Sequence, residues 1–190
     1  VTSNTCSSTC TTDVMVNDTV APTLTIPADA TLECPADTRT NVTGVATAQD
    51  DCGKLTLSYS DAITNGCGGT KVVARTWTAT DLCGNSTSQT QTITVQDTTA
   101  PVISSVPTNV TVQCASAVPA PNDGAVVATD TCGGALVITH SDQVIPGSCA
   151  NKFVVQRTYT ATDACGNSSS QTQTITVNDN TAPVITGIPG

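Results

Sequence analysis

A stretch beginning at Thr78, TATDLCGNSTSQTQTITVQDTTAP, returns at Thr160 as TATDACGNSSSQTQTITVNDNTAP. A phrase of this length written twice constrains the architecture more than any composition does, because internal repeats fix how a chain divides. Its closing words occur three times, as VNDTVAP from Val16, VQDTTAP from Val95 and VNDNTAP from Val177. The marker aspartates Asp18, Asp97 and Asp179 are therefore 79 and 82 residues apart (97 − 18 and 179 − 97). Each interval is long enough for one small domain and too short for two. The reading is one complete domain over 17–97 and a second over 98–179. Residues 11–16 (TTDVMV) align with TQTITV, so 1–16 reads as the last strand of a preceding domain or a donated strand. Residues 182–190 (APVITGIPG) align with a first strand, so 180–190 reads as the start of a following domain. No basic stretch followed by an apolar run opens the sequence, as expected of a mature secreted chain. No run of 18 apolar residues exists, which predicts no membrane insertion in this segment.

Within each unit the apolar residues alternate. TQTITV and RTWTATD have a period of two, the mark of a strand with one buried face. Strands are predicted near 22–26, 30–34, 43–49, 54–60, 71–80 and 87–96, and again near 102–106, 109–114, 124–129, 135–141, 152–162 and 169–178. Prolines bracket the first strand of each unit, which suits an edge. The predicted fold class is all-β: tandem immunoglobulin-like β-sandwich domains, stapled by disulfides.

Aromatic residues are scarce, with one Trp, two Tyr and one Phe, so each core rests on small aliphatic residues and is thin. Ten cysteines can offset this. Eight recur in register: Cys34, Cys52, Cys67 and Cys83, then Cys114, Cys132, Cys149 and Cys165. Even-numbered sets in small domains read as a disulfide framework of an oxidising compartment. A zinc site would favour CxxC spacing, which is absent here, and the single histidine, His140, occurs in one unit only. In the sandwich, Cys52 and Cys83 fall in two loops at one end and Cys34 and Cys67 at the other. That placement predicts bridges 34–67, 52–83, 114–149 and 132–165, although four cysteines permit three connectivities. Each bridge, closing a loop of roughly 30 residues, would add about 2–4 kcal/mol. Cys6 and Cys10 have no counterparts in the units.

The net charge of −9, with six basic residues, argues against nucleic acid or anionic lipid as a partner. Enzymatic chemistry has no support either. His140 aligns with Tyr59 on a strand, and its HSD run puts three consecutive side chains on alternating faces, which builds no triad.

Taken together, DTTAPVI, NVTVQC, ATD.CG and RTWTATDLCGNSTSQTQTITV resemble the hyalin-repeat (HYR and HYR-like) domains of secreted and surface proteins, including the long arrays of Bacteroidetes-type adhesins and gliding proteins. The resemblance covers roughly 16–181. It implies an extracellular immunoglobulin-like module with a structural or adhesive role and no catalysis.

Three sets of residues are candidate sites. Asp18, Asp50 and Asp81 align with Asp97, Asp130 and Asp163, and the sandwich brings each trio to the end where the chain enters a domain. Carboxylates crowded together repel unless a cation intervenes, and calcium takes six to eight oxygen ligands from such loops. Structural calcium is therefore expected at each entrance, with Asp179 opening a third site. The plainer alternative is that these aspartates cap turns through backbone N–H groups. Arg75 and Arg157 precede Trp77 and Tyr159 by two residues and share their inward face. A buried guanidinium needs a carboxylate, and Asp61 and Asp142 are the predicted partners. Asn17, Asn41, Asn85, Asn109 and Asn167 stand in Asn-x-Ser/Thr sequons, while Thr19 and Thr98 sit in an Asp-Thr-x pattern that resembles bacterial O-glycosylation sites.

Two functions fit. The first is a segment of an extracellular filament or cell-surface stalk whose partners are neighbouring copies or domains arranged end to end. The second is a surface adhesin that binds a glycan or protein ligand through its immunoglobulin-like domains.

Overall fold

The computed structural model describes residues 9–13, 15 and 17–187. The first unit contains β1 (Thr23–Thr25), β2 (Ala30–Glu33), a single helical turn α1 (Thr40–Thr43), β3 (Thr47–Gln49), β4 (Thr56–Asn65), β5 (Lys71–Thr80) and β6 (Ser86–Gln96). The second contains β7 (Val102–Ser105), β8 (Val110–Val112), β9 (Val127–Thr129), β10 (Val137–Cys149), β11 (Lys152–Thr162) and β12 (Ser168–Asn178), with short 3-10 turns at Ala115–Ala117 and Asp123–Ala125. A four-stranded sheet in the order β2-β6-β5-β4 lies against the two-stranded sheet β1-β3, and β8-β12-β11-β10 lies against β7-β9 in the same way. β2 and β8 run parallel to β6 and β12, and the other pairings are antiparallel. The chain is thus an all-β, disulfide-stapled fold built from immunoglobulin-like sandwich layers.

Alternation along the long strands decides the core. On β5, Val73, Arg75, Trp77 and Ala79 are buried, because every second side chain points to the same face. Their counterparts on β11 are Val155, Arg157, Tyr159 and Ala161. Leu24 and Ala46 pack onto Trp77 and Ala79 from the opposite layer. The core is partly polar. Gln91 is fully buried and donates from Nε2 to the carbonyls of Ala28 and Thr43, both at 2.9 Å. It also accepts the indole N–H of Trp77 at 3.4 Å. These bonds tie β6 to segments crossing the opposite layer, so the thin aliphatic core is supplemented by satisfied polar groups.

The sequence pattern misplaces some boundaries. The strand predicted over 43–49 begins at Thr47, because Thr40–Thr43 close a helical turn in which the Thr43 hydroxyl donates to the Arg39 carbonyl at 3.1 Å. β4 and β10 run well past the predicted 54–60 and 135–141, to Asn65 and Cys149. Ladder bonds to β5 and β11 continue there although no face of the strand is buried. The expected strand over 11–16 falls partly outside the described residues, as do Val14, Val16 and Cys6, and its described residues are not in a strand. Residues 181–187 form no strand either. The strands they resemble, β1 and β7, each pair with a later strand of their own unit. Among the described residues, no helix is long and apolar enough to cross a membrane.

Candidate functional site: the junction between the units

Cys34 closes β2 and donates its N–H to the Gln96 carbonyl at 2.9 Å. Cys67 sits in the β4–β5 hairpin, where the Thr70 hydroxyl donates to its carbonyl at 2.6 Å. Both therefore lie at the end of the first unit from which β6 runs on into the second. Cys132, in the β9–β10 loop, and Cys165, in the β11–β12 turn, lie at the end where the second unit starts. The structure joins Cys34 to Cys132 and Cys67 to Cys165, with Cα–Cα distances of 5.3 and 5.2 Å, within the span a bridge accepts. This corrects the predicted connectivity. Bridges 34–67 and 132–165 are replaced by two that cross between units, and Cys52, Cys83, Cys114 and Cys149 are free and exposed instead of paired as 52–83 and 114–149. The physical reason is that the segments carrying Cys34 and Cys67 lie against the loops carrying Cys132 and Cys165.

The approach is close. A Cβ on Gly69 would stand 2.5 Å from the Cys132 carbonyl oxygen, and one on Gly68 would stand 2.9 Å from that of Gly133. Gly68, at φ +54°, also needs the left-handed backbone region. Cys34, Val95 and Cys132 form a buried cluster with Ala36 packed against it. A latch reinforces it: the Glu33 carboxylate accepts the Thr98 N–H at 2.6 Å and the hydroxyls of Thr98 and Thr99 at 3.1 and 3.0 Å. The Thr98 N–H bond, although partly opposed by desolvation, holds the Glu33 carboxyl below its ordinary value, with the Thr99 and Thr98 hydroxyls adding to it.

The aspartates divide into two kinds. Asp18 and Asp50 bring carboxylate oxygens within 4.8 Å of each other and of the Cys52 sulfur, and Asp97 and Asp163 do the same beside Cys165. Asp81 and Asp130 are not drawn into these groups. Asp163 is buried and caps its turn, accepting the N–H groups of Cys165 and Asn167 at 2.8 and 2.9 Å and the Asn167 amide at 2.9 Å. Burial pushes its carboxyl up, but these bonds outweigh it and hold the group below its ordinary value. Asp81 is bound by Asn85 in the same way, and the same balance lowers it. The remaining aspartates accept local N–H groups: Asp18 from Val20, Asp50 from Cys52, Asp97 from Thr99, Asp130 from Cys132 and Asp179 from Thr181. Among these aspartates two oxygens, Asp18 Oδ2 and Asp130 Oδ2, are buried without a partner, as is Gln173 Oε1 in the core of the second unit.

Asn85 and Asn167 fasten the linkers. Each donates its side-chain amide to the carbonyl of the linker aspartate, Asp18 at 3.0 Å and Asp97 at 3.2 Å, and to the cap aspartate of its own turn. With both amide hydrogens engaged, a glycan on Nδ2 would break one of these bonds. Of the remaining sequons, Asn17 and Asn41 are exposed, whereas Asn109 accepts the Thr174 N–H at 2.7 Å through its side-chain oxygen and keeps its amide nitrogen clear. Thr19 is exposed, and the Thr98 hydroxyl is engaged by Glu33.

Arg75 is 2% exposed. Its guanidinium donates to both oxygens of Asp61 at 2.7 and 2.8 Å, to the Thr43 hydroxyl at 2.9 Å and to the Thr38 carbonyl at 2.9 Å, and it lies over the Tyr59 ring. Arg157 repeats the fork with Asp142 at 2.7 and 2.8 Å and adds the Pro119 carbonyl. Hydrogen bonds from the arginines, partly opposed by desolvation, hold both aspartates below their ordinary values. His140 pairs with Asp123 at 2.7 Å on the exposed side of β10.

Residues 102–177 match the family model of the HYR-like domain with 4 cysteines. HYR-like domains are in general non-catalytic, adhesion-type modules, and this match together with the structural disulfides fits an extracellular module of that type. No curated protein matches the chain.

The junction glycines and the Glu33 latch are absent from the sequence-based candidates. A signal was present for the first: CGG occurs at 67–69 and again at 132–134, in the two loops that meet.

Proposed function

We propose that the chain is a stretch of an extracellular structural filament or cell-surface stalk, in which HYR-like units are set in series and locked end to end. The observation that carries this is the pair of disulfides crossing between the units. A module whose task is confined to its own binding face gains nothing from bridges to its neighbour, whereas a rod gains bending stiffness. Small-angle scattering tests the reading. Two sandwiches with strands of 10–11 residues, placed in line, give a rod roughly 70–90 Å long. Its radius of gyration would be about 23 Å, against about 16 Å for a compact chain of this length. A compact value overturns the proposal. Elongation that collapses into a broad distribution on reduction supports it.

Calcium at the unit entrances is part of the same proposal. It is supported by the two close carboxylate pairs and by the buried, unpartnered Oδ2 of Asp18. Asp18 and Asp50 would hold the ion at the first entrance, and Asp97 and Asp163 at the second, with Asp163 contributing least because turn N–H groups already occupy it. Calcium that binds only the folded state stabilises it by about 2.7 kcal/mol per site at a hundredfold excess over Kd. Calorimetric titration of chelator-treated protein checks this. No uptake at millimolar calcium, with an unchanged melting temperature, leaves these aspartates as turn caps.

An adhesive role is favoured by one observation: β4 is exposed along its whole length, with Leu57, Tyr59 and Ile63 in solvent. Such an edge strand is open to pairing with a ligand strand. Saturable binding on a glycan or peptide array would establish this second role.

A further inference from the structure

Each unit carries four cysteines, and the observed junction uses one pair from each: the first and third of the first unit, the second and fourth of the second. The four cysteines left over are the complementary pairs. Cys52 and Cys83 occupy in the first unit the places of Cys132 and Cys165, and Cys114 and Cys149 occupy in the second unit the places of Cys34 and Cys67. All four are exposed, whereas Cys34 and Cys132 are 6% and 8% exposed once joined.

Resting on the reading of the chain as a serial rod, we propose that these pairs are two halves of further junctions of the same kind, each completed by a flanking unit with the same four-cysteine pattern. A unit following Asp179 would bridge its second cysteine to Cys114 and its fourth to Cys149. A unit preceding Asp18 would offer its first and third cysteines to Cys52 and Cys83.

Surfaces at both ends match the junction. At the leading end, a cleft of about 350 Å³ lies between Asp18, Val20, Asp50 and Cys52, and the equivalent region around Cys132 packs against Cys34, Ala36 and Val95. At the trailing end, Ile145, Pro146, Phe153 and Cys149 line open clefts beside the end of β12. One bond of the latch is in place there: Gln113, which stands where Glu33 stands, accepts the Asn180 N–H at 3.3 Å. The departing linker is thus held at the same position as the first, by one bond in place of three. One difference is that Ala150 and Asn151 follow Cys149, where Gly68 and Gly69 follow Cys67. The hairpin tip cannot approach quite as closely, and bridges formed at Cα–Cα separations up to about 6.8 Å leave room for this.

Each bridge forms by joining two thiol sulfurs. The exchange runs through a mixed disulfide, and the two electrons and two protons of the thiols pass to the disulfide of a thiol–disulfide oxidoreductase, which opens to a dithiol.

The test extends the chain. Residues 1–179 are followed directly by a second copy of residues 19–97, the product is folded under an oxidised oxidoreductase, and its bridges are mapped by non-reducing peptide mass spectrometry. The expected result is Cys114 joined to the added copy of Cys52 and Cys149 to the added copy of Cys83, beside 34–132 and 67–165. In a Cys149→Ser variant, the added Cys83 becomes open to alkylation while the bridge to Cys114 persists. Persistence of 34–132 and 67–165 shows that both chains have folded. Cys114 and Cys149 recovered as thiols, or joined to each other, overturn the proposal, as does a bridge between the added Cys52 and Cys83. Loss of 34–132 and 67–165 in the extended chain overturns it as well. Scattering from the same sample separates the two readings: an elongated chain without the new bridges removes only the covalent ladder, and a compact chain with them removes only the rod.

Discussion

Asp61→Ala puts the polar core of the first unit to a quantitative test. Arg75 is 2% exposed and donates two of its four hydrogen bonds to Asp61. Removing the carboxylate leaves a buried guanidinium held by one hydroxyl, one carbonyl and the Tyr59 ring. Breaking a buried pair from one side costs about 3–5 kcal/mol. The Asp61 side chain is 26% exposed, so water can reach part of the space it leaves, which places the cost near the lower limit, at about 3 kcal/mol. In a unit of this size each kcal/mol moves the midpoint by about 4–8 °C, giving a fall of ~12–24 °C. The sign with pH follows from the lowered Asp61 carboxyl, held there chiefly by the Arg75 hydrogen bond. The pair stabilises the fold fully above the ordinary aspartate value of 3.8 and is lost as pH falls through the lower folded value. Urea unfolding of both proteins at pH 7, repeated stepwise toward pH 2, reads this out. The gap between them should be full at pH 7 and should close in acid. A gap below about 0.5 kcal/mol at pH 7, the size of an ordinary surface substitution, would refute the reasoning. So would a gap that does not change on acidification.

Two further outcomes follow from the junction and its open counterpart. Gly69→Ala places a Cβ 2.5 Å from the Cys132 backbone oxygen, so the 67–165 bridge should form more slowly during oxidative refolding and reduce more readily, as timed by quenched alkylation, while strand content stays unchanged. Asp18, through its charge, raises the Cys52 thiol, and partial desolvation, a hydrogen bond donated by the thiol to the Asp18 carboxylate and the charges of Asp50 and Asp51 add to it. Asp18→Asn should therefore speed alkylation of Cys52 near pH 8, and the difference should fade at higher pH, where both thiols are ionised; equal rates at pH 8 would remove Asp18 as the cause.

What was legible in the sequence is what depends on neighbours along the chain. Arg75 and Trp77 share a face because a strand alternates, so their common burial could be read from RTWTATD alone. The capped turns at Asp81 and Asp163 could be read likewise from the D-x-C-G-N spacing. The partners of the cysteines could not be read in this way. Loop placement correctly separates Cys34 and Cys67 from Cys52 and Cys83, but which end faces which depends on how units stack, a relation absent from any one unit's pattern. A trace of it exists: both bridges span 98 residues, the constant offset of two loops in one unit facing two in the next. The length of β4 was hidden for a different reason. Residues 61–65 bury no face, and they are strand because β5 offers them a ladder.

The two crossing bridges and the peptide linker tie the units at three points, and this changes how the chain would carry a load. A force pulling the ends apart need not pass along the whole polypeptide. It can leave the backbone at Cys34, re-enter at Cys132 and continue, or remain in the first unit as far as Cys67 and cross to Cys165. Either route omits about half of the residues, so even a fully unravelled chain could lengthen to only about half the contour its sequence allows at 3.3–3.6 Å per residue. The slack in such a fibre is set by where its sulfur atoms meet, not by how firmly its sheets hold.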